Sequence, residues 1–287
     1  MNYRHAFHAG NFADVFKHTI LSRILVYLMR KDAPLRFMDT HAGGGSYSLA
    51  GKEAQRSGEW REGVGRLLAA PPKGPIGALL EPYLRALGPL TAAGAGGRYP
   101  GSPVIAQELL RAQDRYSLCE LHPDDRIALA GIIGKDRRVT IVEQDGYAAL
   151  KAWLPPVERR GLVLIDPAFE QPEESEHVER ALALALTKWP TGCYALWRPI
   201  KERREDAHFL NAIAAIGAPN ILQLEIDIGA VPPTEHSANP LSRSGMLVVN
   251  PPHALIDEAR ALLPFLAGVL ARDGRGSWRA DWLTPPR

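Results

Sequence analysis

The sequence predicts an α/β fold: a mostly parallel sheet of seven strands with helices on both faces, plus a small helical insertion. Three observations predict it. Short apolar runs alternate with helical patterns along most of the chain, the mark of repeated β-α-β units. The first run, Leu35-Arg36-Phe37-Met38-Asp39, leads into Gly43-Gly44-Gly45. A strand followed by a glycine-rich turn opens nucleotide-binding α/β units. The third observation is Leu162-Val163-Leu164-Ile165. Four consecutive aliphatics read as a strand buried on both faces, as in a parallel sheet. Pro167 cannot extend the ladder, so Asp166 lands at the strand's carboxyl end, where open α/β sheets bind ligands.

Composition bounds the function classes. The chain has 287 residues, 46% hydrophobic and 23% charged, which fits a globular protein with a substantial core. We read residues 1–287 as a single domain. No apolar run reaches membrane-spanning length, and the N-terminus has no signal-peptide pattern. Cys119 and Cys193 both fall in predicted strands and read as small buried residues. The expected compartment is the reducing cytoplasm. A net charge of +2 permits a polyanionic partner without demanding one.

The elements follow in order. Tyr3, Arg4, His5 and His8 crowd a polar N-terminus. Asn11 can cap a helix whose apolar stripe is Phe12, Val15, Phe16, Ile20, Ile24 and Leu28, with Lys17 and His18 beside it. After the glycine turn the pattern breaks. A β-α-β unit reaches its second strand within about 30 residues, yet residues 51–101 are rich in Gly, Pro and Ala. We read them as an inserted helical subdomain, with Thr91 to Pro100 as a connector. Ser102 as N-cap and Pro103 as first helical residue begin a helix to about Gln113. Strands are expected at Tyr116 to Leu121, Val139 to Glu143, Leu162 to Ile165, Cys193 to Trp197, Ile221 to Ile228 and Met246 to Val249. The last two lack a helix between them and read as an antiparallel hairpin. A final helix spans Leu255 to Leu270.

Four signals stand at successive strand ends: Asp39 with Gly43-Gly44-Gly45, then Glu120, then Asp145-Gly146, then Asp166-Pro167-Ala168-Phe169. Together they suit S-adenosylmethionine. Glycines let backbone approach a ligand closely. An acid ending the second strand accepts hydrogen bonds from ribose hydroxyls. One after the third accepts from an adenine amino group. Asp-Pro-Ala-Phe is close to the [D/N]-P-P-[F/Y/W] signature of enzymes that methylate exocyclic amino groups of bases. Asn250-Pro251-Pro252-His253 matches the first three positions better. It lacks a glycine turn downstream and ends in a poor stacking residue, so it reads as a structural exit from the sheet. His5, His8, His18 and His41 lack the partners of a zinc site, and no metal is expected. Lys201, Arg203, Arg204 and the pair Arg159-Arg160 are candidate phosphate contacts.

With these residues laid out, the chain resembles the RlmJ family of 23S rRNA (adenine-N6) methyltransferases. The resemblance rests on Tyr3-Arg4-His5 through Lys17-His18, Asp39-Thr40-His41-Ala42-Gly43, Tyr99-Pro100-Gly101-Ser102-Pro103, Glu120-Leu121-His122-Pro123, Asp145-Gly146, Leu164-Ile165-Asp166-Pro167, Ala195-Leu196-Trp197 and Ser244-Gly245-Met246. It implies a Rossmann-like class I methyltransferase fold with an inserted helical subdomain. It implies S-adenosyl-L-methionine contacts at His18, His41, Gly43, Ser102, Glu120, Asp145 and Gly146. Asp166 would be catalytic, with the Pro167 carbonyl and Phe169 completing that site. Tyr3, Arg4 and Lys17 would face the RNA. The implied target is adenine 2030 of 23S rRNA, free or partly assembled, and the expected protein is a monomer without membrane contact. One position departs from the family: Ala168 stands where a second proline is usual. Two alternatives stay open at this point, a catalytically weak RNA-binding relative and an NAD-dependent oxidoreductase on the same fold. The latter would want G-x-G-x-x-G opening directly into a helix.

Overall fold

The computed structural model describes residues 4–88, 97–233 and 240–286. Its centre is β6 (Gly161–Ile165), the aliphatic run, and all five residues are buried. Leu162, Val163, Leu164 and Ile165 are fully covered, each contributing about 1.5–3 kcal/mol by leaving water. On one side β6 pairs in parallel with β1 (Arg36–Asp39), then β4 (Arg115–Cys119) and β5 (Val139–Val142). On the other it pairs in parallel with β7 (Cys193–Pro199). The chain thus builds outward from β1 in one direction and returns to build in the other. The reversal opens a crevice at the carboxyl ends of β1 and β6.

Beyond β7 the sheet turns antiparallel. β9 (Arg243–Val249) pairs with β7, β8 (Ile221–Asp227) with β9, and β10 (Ser277–Thr284) with β8. The main sheet therefore has eight strands, not seven. The eighth, β10, escaped sequence reading because it is an edge strand. Only Ala280 within it is buried, so it shows no continuous apolar run. The expected hairpin of β8 and β9 is present, but β9 inserts between β8 and β7.

Helices cover both faces. One core gathers α1 (Phe12–Leu28) and the helices that follow β1 and β9. The other lies under α8 (Gly146–Trp153), α9 (Glu174–Lys188) and α10 (Arg203–Ala215). Asn11 caps α1 as expected, its Oδ1 accepting the Asp14 N–H at 3.0 Å. The expected one-sided stripe is wrong. Every residue from Phe12 to Leu25 is buried, including Asp14, Lys17, His18 and Arg23. The helix is enclosed because it packs against other helices as well as the sheet. Its charges must then find partners inside.

Another difference lies after the glycine turn. β2 (Ser46–Ser48) pairs with β3 (Arg98–Pro100) in a separate two-stranded sheet. Between them run α2 (Lys52–Ser57), α3 (Glu59–Glu62), α4 (Val64–Ala69) and α5 (Gly74–Ala86). The end of the expected connector is thus a strand, anchored by fully buried Tyr99. Thr91 to Gly96 lie outside the described residues. Next come α6 (Ser102–Leu109), shorter than expected, and α7 (Pro123–Ile133). Gly101, not Ser102, holds the N-cap position of α6, because the Ser102 hydroxyl is committed elsewhere. α11 (Leu255–Leu270) has the expected bounds.

Candidate active site

A cleft of about 1180 Å³ lies at the carboxyl edge of the parallel strands. The first turns of α1, the turn after β1 and the segments following β4, β5, β6 and β7 line it. It brings together Asp166, Pro167, Phe169, Lys17, His18, His41, Gly43, Ser102, Glu120, Asp145 and Gly146.

Asp166 follows the last residue of β6, and its Oδ2 accepts a 2.6 Å hydrogen bond from Lys17 Nζ. Lys17 Nζ also lies 3.0 Å from Asp14 Oδ1. Asp14 Oδ2 accepts the Gly10 N–H and meets His5 Nε2 at 3.0 Å. The spacing Asp14, Lys17 puts both charges on one side of α1's first turn. Burial alone would favour neutral Lys17, but the Asp166 and Asp14 carboxylates outweigh it and raise its pKa. Burial likewise opposes ionisation of Asp14, and His5 and Lys17 overcome it, holding that carboxyl well below the usual range. Lys17 was expected to face RNA. It is instead 4% exposed and spans two carboxylates.

The turn after β1 is shaped by its glycines. Gly43 has φ 62°, and a Cβ there would lie 2.2 Å from the Tyr47 hydroxyl. Its N–H donates to Glu120 Oε2 at 2.7 Å, while Glu120 Oε1 accepts the His122 N–H. Glu120 therefore holds the glycine turn in place, and each oxygen keeps a second lone pair for a ligand. Burial raises its pKa. Asp145 caps α8, its Oδ1 accepting the Ala148 N–H at 2.8 Å. Gly146 is required for packing, since a Cβ there would meet the Thr40 carbonyl oxygen at 2.1 Å.

Behind the turn, Ser102 donates to buried Asp39 at 2.7 Å. Burial pushes the Asp39 carboxyl up to about 7, against the Ser102 hydrogen bond. His41 Nδ1 meets the Thr40 hydroxyl at 2.7 Å, and its ring sits edge-on to Tyr147. Burial lowers the His41 pKa. His18 Nδ1 meets the Tyr99 hydroxyl at 2.8 Å. These groups fit S-adenosylmethionine chemically. Glu120 and Asp145 offer carboxylate oxygens as hydrogen-bond acceptors, and the glycine turn admits close approach.

Phe169 sits beside Asp166 with φ 51°. A left-handed conformation is strained for an aromatic residue, and such strain collects at functional sites. Its ring packs edge-on against Trp197 and Phe209, at 6.1 and 6.4 Å between centroids. Trp197 also carries Lys17 Nζ 5.6 Å above its ring.

Other candidates fall elsewhere. Tyr3 lies outside the described residues. Arg4 is exposed, 3.9 Å from Glu53, and does not line the cleft. Asn250 follows an antiparallel strand, so it emerges at the opposite edge, beside the start of β7. Its Nδ2 donates to the Pro190 and Gly192 carbonyls at 2.8 Å each. Arg160 precedes β6 at that same far edge and donates to the Ala33 and Leu28 carbonyls. Lys201 lies on the cleft, with Arg203 and Arg204 exposed just after it. Sequence reasoning missed Asp14, Trp197 and Tyr147. An i,i+3 acid and lysine in an otherwise apolar helix was the available signal for Asp14.

Residues 32–284 match the family model RsmJ, described as ribosomal RNA large subunit methyltransferase D, RlmJ. The chain is 40% identical over 285 residues to ribosomal RNA large subunit methyltransferase J of Escherichia coli K12, covering 99% of each. It is 39% identical over 286 residues to the protein of the same name from Haemophilus influenzae, again 99% of each. Among solved structures, a Legionella pneumophila protein assigned to the family DUF519 superposes with a TM-score of 0.86 at 32% identity. That match covers 96% of this chain and 98% of that one.

Proposed function

Since the chain belongs to the RlmJ family of large-subunit ribosomal RNA methyltransferases, we propose that it methylates the exocyclic N6 of an adenine in 23S rRNA, by resemblance adenine 2030. The observation that carries this reading is Asp166 at the end of β6, sharing one cleft with Gly43, Glu120 and Asp145. Glu120, Asp145, His18 and the glycine turn would hold S-adenosylmethionine, which would supply an electrophilic methyl group.

The protein's task is to make a poor nucleophile react. The adenine amino lone pair is delocalised into its ring. Asp166 Oδ2 is engaged by Lys17, so Oδ1 accepts one amino hydrogen and the Pro167 carbonyl accepts the other. Two such bonds favour a pyramidal nitrogen with its lone pair directed at the methyl. Positive charge then grows on nitrogen. The Asp166 carboxylate beside that nitrogen is suited to the charge, and Lys17 holds it in place. Lys17 fixes the Asp166 side chain, which reduces the reorganisation needed at reaction. Phe169 stacks on the base, worth about 1–3 kcal/mol, once the base has left its neighbours.

The RNA backbone approaches over Lys201, which lines the cleft, and the exposed Arg203 and Arg204 that follow it in the chain. Arg159 and Arg160 sit at the far edge of the sheet, away from the cleft. The cytoplasm is the setting we assign. Among the described residues no helix is long and apolar enough to cross a membrane.

Transfer of a labelled methyl group to unmodified 23S rRNA, followed by mapping of the labelled base, tests this function. Label on N6 of one adenine is expected. Label on another base type, or on protein alone, would overturn the reading.

A further inference from the structure

Three buried side chains form a hydrogen-bonded line that ends at the cleft. Tyr83, on α5, has its hydroxyl 3.0 Å from that of Tyr99, on β3. Tyr99 meets His18 Nδ1 at 2.8 Å, and His18 lines the cleft. Both tyrosines are fully buried, and His18 is 1% exposed. Burial lowers the His18 pKa to about 3, with Asp14 opposing. The ring is therefore neutral and carries one proton, on one nitrogen or the other.

The line has a direction. Each hydroxyl donates one hydrogen bond. The Tyr83 hydroxyl has a single hydrogen-bonding neighbour among the described residues, the Tyr99 hydroxyl. Were the order to run from His18 outward, the Tyr83 proton would be buried without an acceptor, the costly kind of defect. Running inward, Tyr83 donates to Tyr99, Tyr99 donates to Nδ1, and every proton is placed. The His18 proton must then sit on Nε2, the nitrogen left for the cleft.

We propose that Tyr83 and Tyr99 are positioning residues that fix His18 as its Nε2–H tautomer, a neutral N–H donor aimed at the carboxylate of the cofactor's amino-acid end. The choice of that end follows from placement. Glu120 and Asp145, the acceptors suited to ribose and adenine, follow β4 and β5 on one side of β1. His18 stands on α1, which packs against β6 and β9 on the other side of β1. The helices between β2 and β3 thereby set the chemistry of a residue on α1. This inference rests on reading the cleft as a cofactor site.

Nitrogen-15 NMR of the wild-type histidines at neutral pH tests the tautomer without any variant. The expected result is a protonated Nε2, an unprotonated Nδ1 and a slowly exchanging Tyr99 hydroxyl proton coupled to that Nδ1. A proton on Nδ1 would overturn the proposal. Calorimetry tests the ligand. Tyr99→Phe should weaken S-adenosylhomocysteine about tenfold and leave 5′-methylthioadenosine, which lacks the carboxylate, unchanged. Equal weakening of both ligands overturns the proposal. A wild type that binds neither ligand overturns the cofactor reading of the cleft itself. One that binds both alike, with the Nε2–H signal unmoved, spares that reading and overturns this one.

Discussion

Two segments leave the sheet through an acid or amide followed by proline, and both bend through a left-handed residue. In one, Asp166-Pro167-Ala168-Phe169, the left-handed residue is Phe169 at φ 51°. In the other, Asn250-Pro251, it is Asn250 at φ 50°. By its letters alone, the Asn250 exit is nearer to a methyltransferase signature. Strand direction separates them. β6 runs parallel to its neighbours and delivers Asp166 to the cleft edge, whereas antiparallel β9 delivers Asn250 to the opposite edge. Their energetics differ too. Asparagine tolerates left-handed backbone and spends its amide on two carbonyls. Phenylalanine does not, and beside it lie buried charges that need one another. The far exit is relaxed; the cleft exit holds strain and charge. A motif therefore has meaning only with the edge of the sheet on which it stands.

The sharpest way to break this comparison is to remove each polar residue in turn. Asp166→Ala should lower the single-turnover rate of methyl transfer on unmodified rRNA by about 10²–10³-fold, the usual loss for a group acting on transition-state charge. Affinity for S-adenosylmethionine by calorimetry should stay within about twofold, because the proposed partner of Asp166 is the target amino group. A fast Asp166→Ala enzyme would mean the active site is on the wrong strand.

The next test uses pH, and it asks whether the cleft edge carries a stability penalty that the far edge lacks. Asp39 has its pKa raised from 3.8 to about 7, chiefly by burial. Between about pH 4 and 7 the folded protein holds a proton that the unfolded chain has released. Stability from this group is therefore complete below pH 4 and is lost as pH rises through 7. Asp39→Asn does not titrate. It should match wild type near pH 4 and exceed it at pH 8 by roughly 2–4 kcal/mol in urea unfolding. Parallel stability curves at all pH values would show that Asp39 is not held neutral.

At the far edge the smaller expected effect is structural. Asn250→Ala removes two hydrogen bonds to carbonyls and places alanine in left-handed backbone. A stability loss of about 1–3 kcal/mol is expected, with the transfer rate of the folded fraction unchanged. A folded, cofactor-binding but inactive Asn250→Ala protein would collapse the distinction between the two exits.

Much of this was legible in the sequence, for a reason that also marks the limit. Strands buried on both faces announce themselves as aliphatic runs, so β6, β7 and β9 were readable, and so were the acids that follow strands on the cleft side. Edge strand β10 was not, because alternation with one buried residue resembles loop. The stripe expected on α1 failed because enclosure on all sides erases amphipathic contrast. Lys17 was misplaced for the same cause. A lysine beside an apolar face is usually solvated, and only the fold reveals that Asp14 and Asp166 approach it from two elements. Glu120 was read as a ligand acceptor, but its bonds to the Gly43 and His122 amides belong to tertiary geometry that no spacing encodes.

Ala168→Pro is the finest probe of the cleft exit. The variant places a second proline after Pro167, and it acts on the turn alone. Ala168 is half-buried and lies outside helix and strand, so no ladder hydrogen bond is at stake. Proline there narrows the unfolded ensemble, a gain of about 0.4–1 kcal/mol if the local backbone suits it. It also restricts Pro167 to extended backbone, which fixes the direction of the carbonyl proposed to hold the amino group. Phe169, next in the chain, must keep its left-handed conformation to stay against Trp197 and Phe209. Activity should therefore be equal to wild type or a few-fold higher, measured as single-turnover transfer. A slower enzyme of unchanged stability would show that the left-handed turn at Phe169 depends on the freedom of Ala168. An inactive wild type that Ala168→Pro switches on would instead favour the catalytically weak relative, in which the strain at this exit remains but the amino group is no longer held.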